Sequence, residues 1–385
     1  MFAHSGTRSL GYYPHMPPEH ISVLGSVIAV DLPEDDRDRV RAQWDRCMAP
    51  SDSTALSSVT YSTDDDADRR DYSLASSLTL AGIQHAAGTR LMLHAAGAAD
   101  PETGRVAVLV AASGTGKTTA AHRLCRAGFG YVTDETVSIG EDDGILPYPK
   151  PLSVVIDGDA PHHKSQHGPA ELGLAPCPPD PRAALYVVLD RDRDGTGGSE
   201  PTLERLPLMD GLIALIPQTS ALPSMRRPLQ ALAGSVHRAG GVWRLAYQEI
   251  ADTIPLLRDA LRSHDPDPTD LVGVAPPEPG CEPGLPAVPV TALDEPEPLD
   301  ANTLVVRAPY LDAVAIDDEL LVLVDCRPAR LSGLGATIWP AAGEPVSLAE
   351  LTRLCVAAHG DHPEADRLVH EAAEELFRHQ VLQRA

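Results

Sequence analysis

The sequence predicts a two-unit chain: a large α/β unit over about residues 1–262, and a small α+β winged-helix-like unit over about 301–385. Three observations carry this expectation. Apolar runs such as "RVAVLVAA" and "AALYVVLDRD" alternate with helical patterns, as in a mostly parallel sheet covered by helices. Residues 263–300 are rich in proline and acidic side chains and lack apolar periodicity, which reads as a semi-rigid, solvated linker. Beyond it, short strands and three helical segments follow in an order of their own.

The elements follow in chain order. "ISVLGSVIAVDL" (21–32) is strand material, and a helix follows near 34–47. Residues 52–73 read as a polar loop with a weak strand. "LASSLTLAGIQHAAGTRLMLHAAGAA" begins as an Ala/Leu-rich helix and ends in a strand carrying His94. We therefore expect residues 1–90 to form an α/β region packed on an α/β core over 91–262. In that core, 106–110 is a buried strand, a Gly-rich loop follows, and 118–127 is a helix ended by Gly128. "GYVTDETVSIGEDDGILPYPKPLSVV" reads as strand, turn and strand, punctuated by Gly and Pro. Another buried strand follows at "AALYVVLDRD", and the remainder is mostly helical apart from a strand at "GVWRLAY".

Composition narrows the function classes. The net charge is −24, which opposes any electrostatic grip on nucleic acid or anionic lipid. No apolar run approaches the roughly 20 residues of a membrane span, and the first residues lack a secretory core. Six cysteines are scattered with no CxxC pair, which suggests neither zinc nor a disulfide framework. The expectation is a cytoplasmic protein with no membrane and no nucleic-acid partner. Only three of its 31 basic residues are lysines: Lys117, Lys150 and Lys164. One of them sits in the loop that carries the chemistry.

That loop, "AASGTGKTT", places Ser113, Gly114, Thr115, Gly116, Lys117, Thr118 and Thr119 between a strand and a helix. Loops of this kind wrap phosphates in backbone N–H groups, reach the outer phosphates with the lysine and present the next hydroxyl to Mg²⁺. Ala111 stands where the pattern has its first glycine, at the rim farthest from the β-phosphate cradle. ATP and Mg²⁺ are the expected ligands. Asp134 and Glu135 close the following strand, where a carboxylate pair can hold Mg²⁺ and take a proton from an attacking hydroxyl. His94 enters on the strand before the loop strand.

In combination, "LHAAG", "AASGTGKTT" and "GFGYVTDETVSI" resemble the HPr kinase/phosphorylase family, with its PEP-carboxykinase-like P-loop fold, across about 91–262. "LPYPKPLSVV" resembles a segment of the shortened HPr-kinase-like proteins found with peptide-modifying enzymes. The resemblance implies Asp134 as the catalytic base, His94 and Lys117 beside the transferred phosphoryl group, and Thr118 and Glu135 on Mg²⁺. The roles of Asp134 and Glu135 could be exchanged. Thr118 replaces the family's usual Ser, and Glu135 its second Asp. No stretch matches the part devoted to HPr and to phosphorolysis, so neither HPr as substrate nor reversal is expected. Lys150 could touch phosphate or acceptor, or lie in solvent. His162, His163 and His167 offer metal-ligand chemistry by type alone, and a mobile loop near the acceptor is the other reading.

In the small unit, 304–324 alternates in short strands with Asp317-Asp318 as a hairpin turn. Ser347 and Glu350 form a capping box, and 362–383 is an amphipathic helix. "LSGLGATIWPAAGEPVSLAEL" resembles the PqqD family of peptide chaperones, the RiPP recognition element, with Ser332 where Asn is common. Such modules add a leader peptide as a strand to a sheet edge against the last helix. The resemblance implies Leu320, Leu321, Val322, Leu323 and Val324 as that edge, and Leu368, Ala372 and Phe377 as the helix face. The acidic composition argues against the alternative of a DNA-binding winged helix.

The joint expectation is an ATP-dependent peptide Ser/Thr kinase acting on a ribosomal precursor peptide. Other biosynthetic enzymes are candidate partners, and self-association is left open. The alternatives are a small-molecule kinase and a non-catalytic, ATP-gated peptide chaperone.

Overall fold

The computed structural model describes residues 17–112, 114–155, 164–194, 200–263, 267–274 and 299–385. Ser113, His162, His163 and most of the Pro-rich acidic stretch lie outside the described residues. No helix among the described residues is long and apolar enough to cross a membrane.

The fold is mixed α/β around a seven-stranded sheet. Its order is Ala175–Pro176, Gly130–Thr133, Ala95–Ala99, Arg105–Val110, Arg182–Arg191, Val242–Tyr247 and Thr202–Arg205. Arg105–Val110, Arg182–Arg191 and Val242–Tyr247 run parallel, whereas Ala95–Ala99 runs antiparallel to both of its neighbours. This pattern dictates where chemistry can occur. The carboxyl end of Arg105–Val110, the amino end of Ala95–Ala99 and the carboxyl end of Gly130–Thr133 open at one rim, where α/β sheets bind ligands. The central strands are buried on both faces, which explains their near-continuous apolar runs.

Residues 91–99, expected to be one strand, are two. Leu91–Leu93 joins a separate four-stranded sheet, Ala95–Ala99 joins the large one, and His94 is the joint between them. The helix expected after residue 73 begins earlier, at Ala67–Ala86. Asp66 caps it by accepting from the N–H groups of Asp68 and Arg69. That helix packs on the sheet of Glu19–Val23, Ser26–Val30 and Ser57–Val59 around Trp44, Leu74 and Leu78.

The small unit contains Asp312–Ile316, Glu319–Val324 and Arg327–Leu331 as an antiparallel sheet, followed by helices Leu334–Ala341, Leu348–His359 and Ala365–Arg378. Asp317 takes φ +50° in the hairpin, and the Ser347 hydroxyl accepts from the N–H of Glu350. Part of the stretch read as linker is not a linker. Leu271–Val274 pairs antiparallel with Asp312–Ile316 and caps that side of the sheet. A Cβ at Gly273 would force the Gln230 side chain to shift.

The two units share a core. Helix Pro228–Arg238 starts with proline at its first turn and buries Leu229, Leu232, Ala233 and Val236 at helical spacing. Those side chains meet Val106, Val108 and Tyr186 of the large sheet and Val314, Ile316, Leu321 and Leu323 of the small one. Across the same boundary the fully buried Asp312 accepts from the backbone N–H of Gln230 at 2.9 Å and from its side-chain amide at 2.7 Å.

Burial pushes the Asp312 carboxyl above its ordinary value, against the pull of the Gln230 hydrogen bonds. A carboxyl with a raised native pKa takes up its proton in the folded state first. Its contribution to stability is therefore fully present below the unfolded value and is lost as pH rises through the folded one. Urea denaturation of the native chain and Asp312→Ala across that window should show it. The native chain should lose stability relative to the variant as pH rises, and a constant difference would contradict the assignment.

Candidate active site

The loop strand Arg105–Val110 delivers Ala111 to the rim of the sheet, and helix Lys117–Arg126 leaves from it. Gly114 and Gly116 have φ of +80° and +104°, and a Cβ on either would meet nothing within 4 Å. Their requirement is conformational rather than spatial. Ala111 is not among the positive-φ residues and its side chain is buried in the core, so its replacement of glycine costs the loop nothing. The helix has no side-chain cap, and its first N–H groups point into the loop, as an anion site requires.

Lys117 is buried, and its Nζ donates to the Ala111 carbonyl at 2.7 Å, folded back across the mouth of the loop. Burial pulls its ammonium below the ordinary value, while Glu135 and Asp134 push it back up. The strand order puts the loop lysine and the acidic pair at one rim of the sheet. Thr118 and Thr119 start the helix, Thr118 half-buried and Thr119 exposed, and the Thr115 hydroxyl closes on the Ala112 carbonyl at 2.5 Å.

The two carboxylates differ sharply. The Asp134 side chain is 1 % exposed, with Oδ1 3.0 Å from Lys150 Nζ and accepting from the Tyr131 hydroxyl at 3.1 Å. The Glu135 side chain is 40 % exposed, with one oxygen 3.9 Å from Lys150 Nζ and the other 3.5 Å from His94 Nδ1. His94 is fixed by its own backbone, whose N–H donates to Gln218 at 2.6 Å, and its Nδ1 lies 3.1 Å from the Glu135 carbonyl.

Lys150, whose place was open in the sequence, is therefore neither solvated nor free. Its Nζ also donates to the Pro151 carbonyl at 2.9 Å. Burial works against its charge, but Asp134 and Glu135 outweigh burial and hold the ammonium above its ordinary value. The "PYPKP" setting had a legible signal: the prolines fix an extended path that carries a rare lysine back beneath the acidic pair.

The structure thus brings His94, Lys117, Asp134 and Glu135 together and adds Lys150 and Tyr131. Among the described residues, no group of three or more His, Cys, Asp or Glu is placed to hold a metal by itself. The donor set still suits Mg²⁺, which takes one or two carboxylates and completes its shell with a hydroxyl, water and phosphates. His167 belongs to another network, bonded to the Ser165 hydroxyl at 2.6 Å and to Glu171 at 2.8 Å.

The C-terminal expectation needs correction. Glu319–Val324 is not an edge, because it pairs with Asp312–Ile316 on one side and Arg327–Leu331 on the other. Leu321 and Leu323 face the core shared with the large unit, while Leu320, Val322 and Val324 face the core of the small one. None of their backbone groups is available to an added strand. The open edge is Arg327–Leu331, which ends the sheet order. Between it and the last helix runs a groove of about 660 Å³, lined by Ala329, Leu331, Leu334, Ala372 and Leu376, with Arg327 at its side. Of the expected helix face, Ala372 lines this groove, Phe377 packs on the unit's own core, and Leu368 is half-buried outside the groove.

No family model matches the chain, and no curated protein matches it. Among solved structures, an HPr(Ser) kinase/phosphatase from Coxiella burnetii aligns with 44 % of this chain and 93 % of its own. The identity is 11 % and the TM-score 0.24, so the likeness assigns neither a family nor an activity.

Proposed function

We propose that this protein is an ATP-dependent phosphotransferase that phosphorylates a Ser or Thr hydroxyl of a ribosomally made precursor peptide. One observation carries the reading: the phosphate loop, the Asp134–Glu135 pair and His94 open at one rim of the sheet, with His94 Nδ1 3.5 Å from Glu135. A loop that only bound nucleotide would not need an acidic pair at its mouth, one carboxylate buried against Lys150 and the other open to solvent and His94.

The chemistry is positioning plus charge neutralisation. The loop N–H groups and Lys117 hold the outer phosphates. Thr118 and the acidic pair would hold Mg²⁺, which supplies further neutralisation there when bound. The acceptor oxygen forms a bond to the γ-phosphorus as the bond to the β–γ bridging oxygen breaks, and that electron pair leaves with ADP. The hydroxyl proton goes to a carboxylate. Exposure favours the exchanged assignment: Glu135 faces solvent and His94, whereas Asp134 is committed to Lys150 and Tyr131. Asp134 then positions and balances charge.

The peptide half of the proposal is supported by the open edge strand and its groove. An extended segment can pair along Arg327–Leu331 and set alternate apolar side chains against Ala372 and Leu376. Arg327, bonded to the Gln380 side chain, offers positive charge in an otherwise strongly acidic chain and suits an acidic leader. The shared core makes this unit a docked part of the enzyme, not a module on a free tether.

Mass analysis of candidate precursor peptides after incubation with the protein and Mg-ATP tests the reading. A gain of one phosphate is expected, and it should fall at least about tenfold in Ala372→Glu, where a second carboxylate joins Glu375 in the groove. Unchanged masses for peptides that bind the groove would contradict it.

A further inference from the structure

We propose that Arg193 is a phosphate-side residue of this site, an arginine supplied in cis that bridges the outer phosphates during transfer. The inference rests on the phosphotransferase reading. The run "RDRDGTGG" looks in the sequence like a charged surface turn, yet the structure places its second arginine on the phosphate loop. Arg193 Nη2 donates to the carbonyl of Gly114 at 2.8 Å across 79 residues of chain.

The topology explains the meeting. Arg182–Arg191 is the parallel neighbour of the loop strand, with Val188 opposite Val110, so its carboxyl end opens at the rim where the loop begins. The backbone around Arg193 is pinned. The N–H of Asp192 donates to Tyr247 at 2.9 Å, and the N–H of Asp194 donates to the Asp192 carboxylate at 3.1 Å. Arg191 is drawn away, its guanidinium donating to Gln248 and pairing with Glu249 at 2.9 Å. Among the described residues no carboxylate pairs with Arg193. Its charge is spent on one neutral carbonyl, which leaves most of its five N–H donors free.

Gly114 is the fourth residue of the eight-residue loop, at the turn over the outer phosphates. A guanidinium at that carbonyl stands at the rim of the loop, where phosphate oxygens held by the loop would compete for its free donors. Hydrogen bonds to phosphate are charge-assisted and stronger than a bond to a neutral carbonyl, so bound nucleotide draws the side chain inward. During transfer, negative charge grows on the bridging oxygen as the P–O bond breaks. Arg193 donates an N–H to that oxygen while Lys117 holds the γ-oxygens; it takes up and gives up no proton.

The experiment compares the affinity of the whole chain for Mg-ADP and for Mg-ADP with aluminium fluoride, a mimic of the transferred phosphoryl group. The variants are Arg193→Ala and Arg193→Lys, and ATP turnover is measured beside them. Arg193→Ala should leave ADP affinity within about threefold, weaken the aluminium fluoride complex at least about tenfold, and lower kcat about a hundredfold or more. Arg193→Lys should recover little of either loss, because an ammonium lacks the planar fork. Equal weakening of both complexes would overturn the proposal and leave Arg193 as a brace for the loop. So would full activity in Arg193→Ala. If the native chain binds no nucleotide, the phosphotransferase reading fails first; if it binds and turns over but Arg193→Ala is silent, only this inference fails.

Discussion

Glu135→Gln is expected to abolish phosphoryl transfer while leaving the fold and the binding of metal-free nucleotide intact. Glu135 is half-exposed, contacts His94 and stands away from the core, so an isosteric amide removes a proton acceptor without creating a buried defect. Loss of a positioned base lowers kcat by roughly 10²–10⁴-fold. Thermal unfolding should coincide with that of the native chain, and affinity for ATP measured without Mg²⁺ should change little. A variant that keeps its rate would return the proton to Asp134, as the family resemblance had implied.

Asp134→Asn should instead lose both activity and stability. It strips the buried Lys150 ammonium of its closest counter-charge, 3.0 Å away, and takes an acceptor from the Tyr131 hydroxyl. Removing one partner of a buried pair typically costs about 3–5 kcal/mol, because the remaining charge is left uncompensated. Lys150→Met alone should cost a similar amount by leaving Asp134 unpaired. The double variant Asp134→Leu with Lys150→Met should regain much of the stability, since replacing both charges by apolar groups is often close to neutral. It should not regain transfer. Denaturant titrations of Asp134→Leu, Lys150→Met and the double variant test this, and additive losses in the double variant would contradict a coupled pair.

The contrast between the two carboxylates shows what could be read from the chain and what could not. The loop, its glycines and the acidic pair were legible because they are contiguous and their spacing follows from how backbone wraps phosphate. His94 was legible as a strand residue, but its seat at the joint of two sheets was not. Local alternation cannot show that a strand changes partners. Lys150 and Arg193 escaped assignment because their meetings with Asp134 and Gly114 depend on strand order, which no local pattern states.

The C-terminal edge was misplaced for a physical reason that the residues did contain. "LLVLV" is apolar on both faces, the mark of a strand covered on both sides rather than of an edge. Pro328, inside Arg327–Leu331, marks the true edge, since proline cannot serve a central ladder. The same two-sided burial hides the core shared by the two units, because Leu321 and Leu323 need the helix at 228–238 to explain them. Leu271–Val274 was lost in a Pro-rich context whose composition outweighs four residues of strand.

The central claim is that the γ-phosphoryl group is transferred to a peptide rather than hydrolysed or merely held. Its most direct test is the fate of a γ-labelled phosphate when the native chain, Mg-ATP and a groove-binding precursor peptide are mixed. The account predicts label on a Ser or Thr of the peptide, absent with Glu135→Gln. Label released only as inorganic phosphate, or retained on ATP while the peptide stays bound, would contradict it.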